Sequence, residues 1–184
     1  TTESKRIGAD FSLLVTPYYN RPIQNVLLEH YLKIADSCDI KQILYNVPSR
    51  TACDILPETV KTLSKYQNII GIKEALDNKE RVNELIKISE ECSEEFLIFS
   101  GDDASFLNLL SSGGHGVISV AANIIPNIIS EICNEYKDNL EHAKDINERY
   151  QKFYDLLFIE SNPSPVKWML YKMNLIENSI RLPL

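Results

Sequence analysis

Lys73 closes the apolar run Ile69-Ile70-Gly71-Ile72-Lys73-Glu74-Ala75, and no other lysine of the chain follows so long a stretch with the pattern of a buried strand. A lone ammonium at the end of an interior strand loses hydration, its neutral form gains ground, and its nitrogen becomes able to attack a carbonyl. The chemistry that follows is Schiff-base formation. The competing reading is a strand that has simply ended, with Lys73 turned to water. A Schiff-base enzyme also needs a proton shuttle through carbinolamine formation and dehydration, and a cation for a carboxylate-bearing substrate. Tyr45 and Arg50, within Tyr45-Asn46-Val47-Pro48-Ser49-Arg50-Thr51, are of the required types. Tyr45 equally suits aromatic packing at a strand end, and Arg50 suits a solvated loop charge paired with Asp54. Tyr18 and Tyr19, within Thr16-Pro17-Tyr18-Tyr19-Asn20, either join this chemistry or form an aromatic patch at a subunit contact. Asp102 and Asp103, in Ser100-Gly101-Asp102-Asp103, read as helix caps rather than general bases.

These residues must be positioned by the elements around them. Short apolar runs at Phe11 to Val15, Gln42 to Tyr45, Ile69 to Lys73, Phe96 to Ser100 and Val117 to Val120 read as strands. Between them, Gln24 to Cys38, Pro57 to Tyr66, Lys79 to Glu91 and Asp103 to Ser111 carry helical periodicity, with Pro57 suited to a first helical turn. After Pro126 the pattern is helical alone: Asn127 to Lys137, Leu140 to Phe158 and Pro165 to Met173. The alternation predicts an α/β chain with a parallel sheet, and the continuous apolar strands predict that both faces of that sheet are covered. Active sites of parallel sheets collect at the carboxyl ends of strands, so the four polar clusters should meet at one rim. Gly113-Gly114-His115-Gly116 precedes a strand and belongs to the opposite rim, where a structural turn is the expectation. His30 and His142 lie in helical patterns without metal-ligand spacing, so a catalytic metal has no support in the sequence.

Composition bounds the class. With 44% hydrophobic and 24% charged residues over 184 positions, the chain can bury an ordinary core. Its formal charge of -7 disfavours nucleic acid and anionic membrane as partners. Cys38, Cys53, Cys92 and Cys133 are scattered singly, which spells neither a zinc ribbon nor a redox pair. The opening Thr1-Thr2-Glu3-Ser4-Lys5-Arg6 lacks the apolar stretch of a signal peptide, and no run is long enough to span a bilayer. A cytoplasmic location is expected.

The order of these motifs resembles the dihydrodipicolinate synthase family. The resemblance rests on Thr16 to Pro22, Tyr45 to Thr51, Gly71-Ile72-Lys73-Glu74-Ala75, Ser100-Gly101-Asp102-Asp103 and Gly113 to Ser119, and continues through Asn162 to Trp168 and Arg181-Leu182-Pro183. It implies a partial (β/α) TIM barrel, with about five C-terminal parallel strands of the usual eight, over residues 1–135, and a C-terminal helical domain over 136–184. It implies condensation of pyruvate with L-aspartate 4-semialdehyde in lysine and diaminopimelate synthesis, without a cofactor. Lys73 then resembles the Schiff-base lysine, Tyr45 the proton-relay tyrosine, and Tyr19 the tyrosine that a neighbouring subunit inserts into the site. Arg50 resembles the arginine that holds the semialdehyde carboxylate, and Gly101 and Ile118 resemble positions lining the pyruvate pocket. Tyr18 resembles a member of the family's lysine-binding regulatory site. The family's Gly-Thr-Thr-Gly-Glu segment has no counterpart here, and Thr1-Thr2-Glu3-Ser4 does not replace it. The resemblance therefore implies a homo-oligomer, a dimer of dimers, or a chain completed by an N-terminal polypeptide. A catalytically silent interaction protein and an aldolase of the N-acetylneuraminate lyase type are the alternatives, and Arg50 favours the synthase over the latter.

Overall fold

A computed structural model describes residues 1–184. Helix α1 (Thr2–Arg6) leads into β1 (Phe11–Val15), α2 (Gln24–Ser37), β2 (Lys41–Asn46), α3 (Pro48–Thr51), α4 (Pro57–Leu63) and β3 (Ile69–Glu74). Then come α5 (Lys79–Glu91), β4 (Leu97–Ser100), α6 (Phe106–Ser111), β5 (Gly116–Val117), a 3-10 turn at Ala121–Asn123, α7 (Pro126–Glu135), α8 (Leu140–Leu156) and α9 (Ser164–Lys172). The strands are all parallel and lie in sequence order, β1 to β5, in one sheet.

Helix periodicity explains how the sheet is covered. Leu27, Tyr31 and Ala35 recur every fourth residue along α2, and Val82, Leu85 and Ile86 form the equivalent stripe of α5. Both stripes pack with Leu63 of α4 onto Leu44, Ile72 and Ile98 of the central strands. Asn78 starts α5 by accepting the Arg81 backbone N–H, and Pro57 opens α4 as the sequence predicts. Gly71 lets β4 approach β3, because a Cβ there would stand 2.4 Å from the Leu97 carbonyl oxygen.

The other face of the sheet differs from expectation. Phe11, Leu13 and Val15 of β1 are 52%, 44% and 41% exposed, so helices cover one face and leave the opposite one open. Continuous apolar strands signal burial on both sides, but these residues of the chain do not themselves supply the second layer. Covering side chains already about half buried would stabilise the fold by roughly 1 kcal/mol apiece.

A register shift decides which residues reach the open face. Gln42 pairs with Ile69 whereas the next residue, Ile43, pairs with Gly71, so Ile70 is an extra residue in β3. Ile69 and Ile72 consequently both face the helices in one core. The bulge then leaves Lys73 on the open face, paired with Tyr45, and Glu74 on the helix face, paired with Asn46.

Several local expectations change. The last strand is only Gly116–Val117, not a run to Val120, because the Asp103 carboxylate accepts the Val120 and Ala121 N–H groups and turns the chain. Asp103 thus caps that turn, and α6 begins later, at Phe106 after Ser105. Asp102 accepts the Ser105 N–H and hydroxyl just before it. Helices α1 and α3 were not visible as periodic patterns, being too short to show one. A second core joins Phe106 of α6, Ile129 of α7, Tyr154 of α8 and Val166 of α9.

Candidate active site

Lys73 is only 9% exposed, at the carboxyl end of β3. Its Nζ lies 4.3 Å from the ring centroid of Tyr45, its cross-strand partner. The ring face offers an ammonium electrostatic compensation, but no fixed anion contacts it. Burial holds the Lys73 pKa below that of an ordinary lysine, with the Asp103 charge acting in the opposite direction. Burial likewise raises the Tyr45 phenol above its ordinary value, opposed by Arg50, so the hydroxyl stays protonated at neutral pH. An amine biased toward its neutral form beside a protonated phenol is suited to carbonyl addition and proton relay.

Gly101 lies against the lysine stem, and Ile118 is bonded to the end of the neighbouring strand β4. Gly101 N–H donates to the Glu74 carbonyl at 2.6 Å, and Ile118 N–H donates to the Ser100 carbonyl at 2.9 Å. A Cβ on Gly101 would stand 2.9 Å from Lys73 Cε and 3.1 Å from Ala75 Cβ. Gly101→Ala is therefore expected to push the lysine stem aside and slow imine formation between the lysine and a carbonyl compound about 10-fold. Rapid-quench trapping of the imine measures this, and an unchanged rate would remove Gly101 from the site.

The other sequence-predicted residues are less tightly gathered. Arg50 sits exposed on α3, at the same rim, and donates from Nη1 to the Asn162 carbonyl at 3.3 Å. It does not pair with Asp54, whose carboxylate is taken by Arg81 at 3.0 Å. Tyr19 is 89% exposed with φ 72°, a left-handed conformation that costs an ordinary side chain energy. Tyr18 is likewise turned to solvent, at 70% exposed. His115 serves structure: its Nδ1 accepts the Ile98 N–H at 3.0 Å.

Sequence reasoning missed the polar cluster behind the lysine. Glu74 Oε2 accepts from Arg81 Nε at 2.6 Å, and both carboxylate oxygens accept from Asn46 Nδ2 at 3.1 and 3.0 Å. Arg81 also donates to Asp54 and to the Ile55 carbonyl. The available signal was adjacency, since Asn46 follows Tyr45 and Glu74 follows Lys73. One cavity of about 410 Å³ lies behind the sheet beside Glu74, Ser100 and Asn108, and another of about 480 Å³ is lined by Trp168 and Ile159. Neither contains Lys73, which stands on the open face.

Parallel strands in sequential order, each returning through a helix, with a desolvated lysine at the carboxyl rim, define a (β/α)-barrel architecture carrying a lysine-centred site. The chain belongs to the Dihydrodipicolinate synthetase family, whose profile matches residues 1–184. It is 51% identical over 185 aligned positions to the 4-hydroxy-tetrahydrodipicolinate synthase of Alcanivorax borkumensis, covering 100% of this chain and 62% of that protein. Among solved structures it resembles the dihydrodipicolinate synthase of Thermotoga maritima, with TM-score 0.95 and 38% identity, covering 99% of this chain and 62% of that one. The chloride-inhibited enzyme of Acinetobacter baumannii complexed with pyruvate matches at TM-score 0.91 and 42% identity, over 98% of this chain and 62% of that one. The chain thus spans about 62% of the length of these relatives, and the five strands correspond to part of their barrel. No helix is long and apolar enough to cross a membrane.

Proposed function

We propose that this chain carries the Schiff-base centre of a 4-hydroxy-tetrahydrodipicolinate synthase, condensing pyruvate with L-aspartate 4-semialdehyde. The observation that carries the reading is Lys73 itself: nearly buried, without a fixed anionic partner, and seated over Tyr45. The activity of the 4-hydroxy-tetrahydrodipicolinate synthases it resembles and the pyruvate complexed with the Acinetobacter enzyme support the substrate class.

In this reading the neutral Lys73 amine adds to C2 of pyruvate, and the carbinolamine loses water to give an iminium. Tyr45 relays the protons that addition and dehydration move. Loss of a methyl proton gives the enamine, whose carbon forms the new bond to the aldehyde carbon of the semialdehyde, and the resulting alkoxide takes a proton. The substrate amine then attacks the imine carbon, displacing Lys73 and closing the ring. Gly101 and Ile118 shape the pyruvate site through backbone, and Arg50 holds the semialdehyde carboxylate.

The assembly that suits this chemistry is a homo-oligomer, a dimer of dimers, in which Tyr19 of a neighbouring copy completes the relay. The exposed, left-handed Tyr19 supports that role, since it makes no use of its ring within its own chain. Further (β/α) units, whether of the same barrel or of a complementing polypeptide, would close the open apolar face. The four free cysteines suit a reducing cytoplasm.

The test offers the chain pyruvate with L-aspartate 4-semialdehyde, and separately pyruvate with N-acetylmannosamine. Consumption of pyruvate with the semialdehyde alone is the expected result; consumption with the sugar alone would replace this reading by the lyase type. Arg50→Ala is expected to raise the half-saturating semialdehyde concentration about 10-fold or more while sparing borohydride trapping of pyruvate. Equal loss of both would contradict the carboxylate-holding role.

A further inference from the structure

Alternation sends Lys73 and Glu74 to opposite faces and the bulge at Ile70 decides which, so the residue directly behind the lysine is a carboxylate enclosed by the helices. Its side chain is 0% exposed. An acid so placed has no route to a substrate on the open face, and its oxygens are occupied: the Leu76 N–H donates at 2.9 Å in addition to Arg81 and Asn46. The partners come from different segments. Asn46 ends β2 beside Tyr45, Arg81 stands in the first turn of α5, and Asp54 and Ile55 belong to the loop after Arg50. Asn46 locks that loop further, donating to Asp54 Oδ1 at 2.8 Å and accepting the Ile55 N–H at 3.0 Å.

We propose that Glu74, clamped by Arg81 and Asn46, is a positioning residue that sets Lys73 against Tyr45 from behind the sheet. The register makes the coupling direct, since Asn46 pairs with Glu74 one step beyond the Tyr45 and Lys73 pair. The side-chain bonds across the first pair fix the spacing and twist of the second. Glu74 transfers no proton in this role. The clamp also ties the loop that follows Arg50 to the same point, so one cluster holds the lysine, the phenol and the root of the arginine turn.

This inference rests on Lys73 being the Schiff-base nucleophile. The experiment is rapid-quench borohydride trapping with saturating pyruvate, reading rate constant and trapped fraction separately, alongside thermal melting. Glu74→Gln is expected to lower the rate constant on the order of 10- to 100-fold in the folded protein, with the half-saturating pyruvate concentration little changed. Glu74→Gln leaves buried Arg81 with Asp54 as its one charged partner and can unfold the chain, so the double variant Glu74→Gln with Arg81→Met, which leaves unpaired only the partly exposed Asp54 carboxylate, decides the matter. It is expected to fold and still trap slowly. A rate constant restored to that of the unaltered chain, or a loss confined to the trapped fraction, would overturn the positioning role and leave Glu74 a matter of stability. Absence of any trapping in the unaltered, folded chain would instead sink the nucleophile reading on which the inference stands.

Discussion

Replacing Lys73 with methionine is expected to abolish the pyruvate adduct and lower condensation on the order of 10⁴-fold or more, with no loss of melting temperature. Methionine preserves the length of the buried stem and removes a cation that no anion fixes, so the packing of β3 should hold or improve. Activity and stability therefore part company, which a merely structural lysine would not produce. In the unaltered chain, borohydride reduction of the pyruvate imine should add about 72 Da, the mass of a reduced pyruvyl group on an amine, at Lys73. Peptide mass analysis locates it. An adduct on another lysine, or full condensation by Lys73→Met, would end the assignment.

The same measurement has a pH dependence with a definite sign. Only the neutral amine adds to the carbonyl, and burial lowers the Lys73 pKa. The trapping rate should rise with pH through a midpoint below that of an ordinary lysine. Asp103 works against burial, so a variant lacking its charge should move the midpoint lower still.

Tyr45→Phe is expected to reduce condensation about 10²- to 10⁴-fold, the range of a lost proton-transfer group, while leaving the ring under the ammonium. Phenylalanine keeps the contact to Lys73 and its strand partners, so the stability change should stay below about 1 kcal/mol. Imine formation should slow, since both addition and dehydration move protons, but the half-saturating pyruvate concentration should change little. Single-turnover trapping beside steady-state condensation separates these effects. A variant that turns over at the unaltered rate would show that the ring alone matters and that another group moves the protons.

Most of the architecture was legible because periodicity and direction are local properties. The isoleucines of β3, the spaced apolar residues of α5 and Pro57 at the start of α4 each declare their element within a few positions. The rule that parallel sheets work at their carboxyl ends then gathered Lys73, Tyr45 and Gly101 at one rim, where the structure places them. What stayed hidden depends on partners remote in sequence. Asp103 looked like the start of the next helix, but its Oδ2 accepts from the Val120 and Ala121 N–H groups instead. Arg50 looked like a partner for nearby Asp54, but Arg81 reaches that carboxylate from α5, and Arg50 turns to the Asn162 carbonyl.

The sequence by itself determined the chemical candidates: a lysine ending an apolar strand, a tyrosine ending the strand before it, and motifs in an order that places the chain in its family. Only the tertiary structure decided which way that lysine faces. Side chains alternate along a strand, so a single extra residue reverses every position beyond it. Without the bulge at Ile70, alternation from the helix-facing Ile69 would turn Lys73 into the helix layer and Glu74 onto the open face. The bulge is a matter of pairing with β2, and no count along β3 alone contains it.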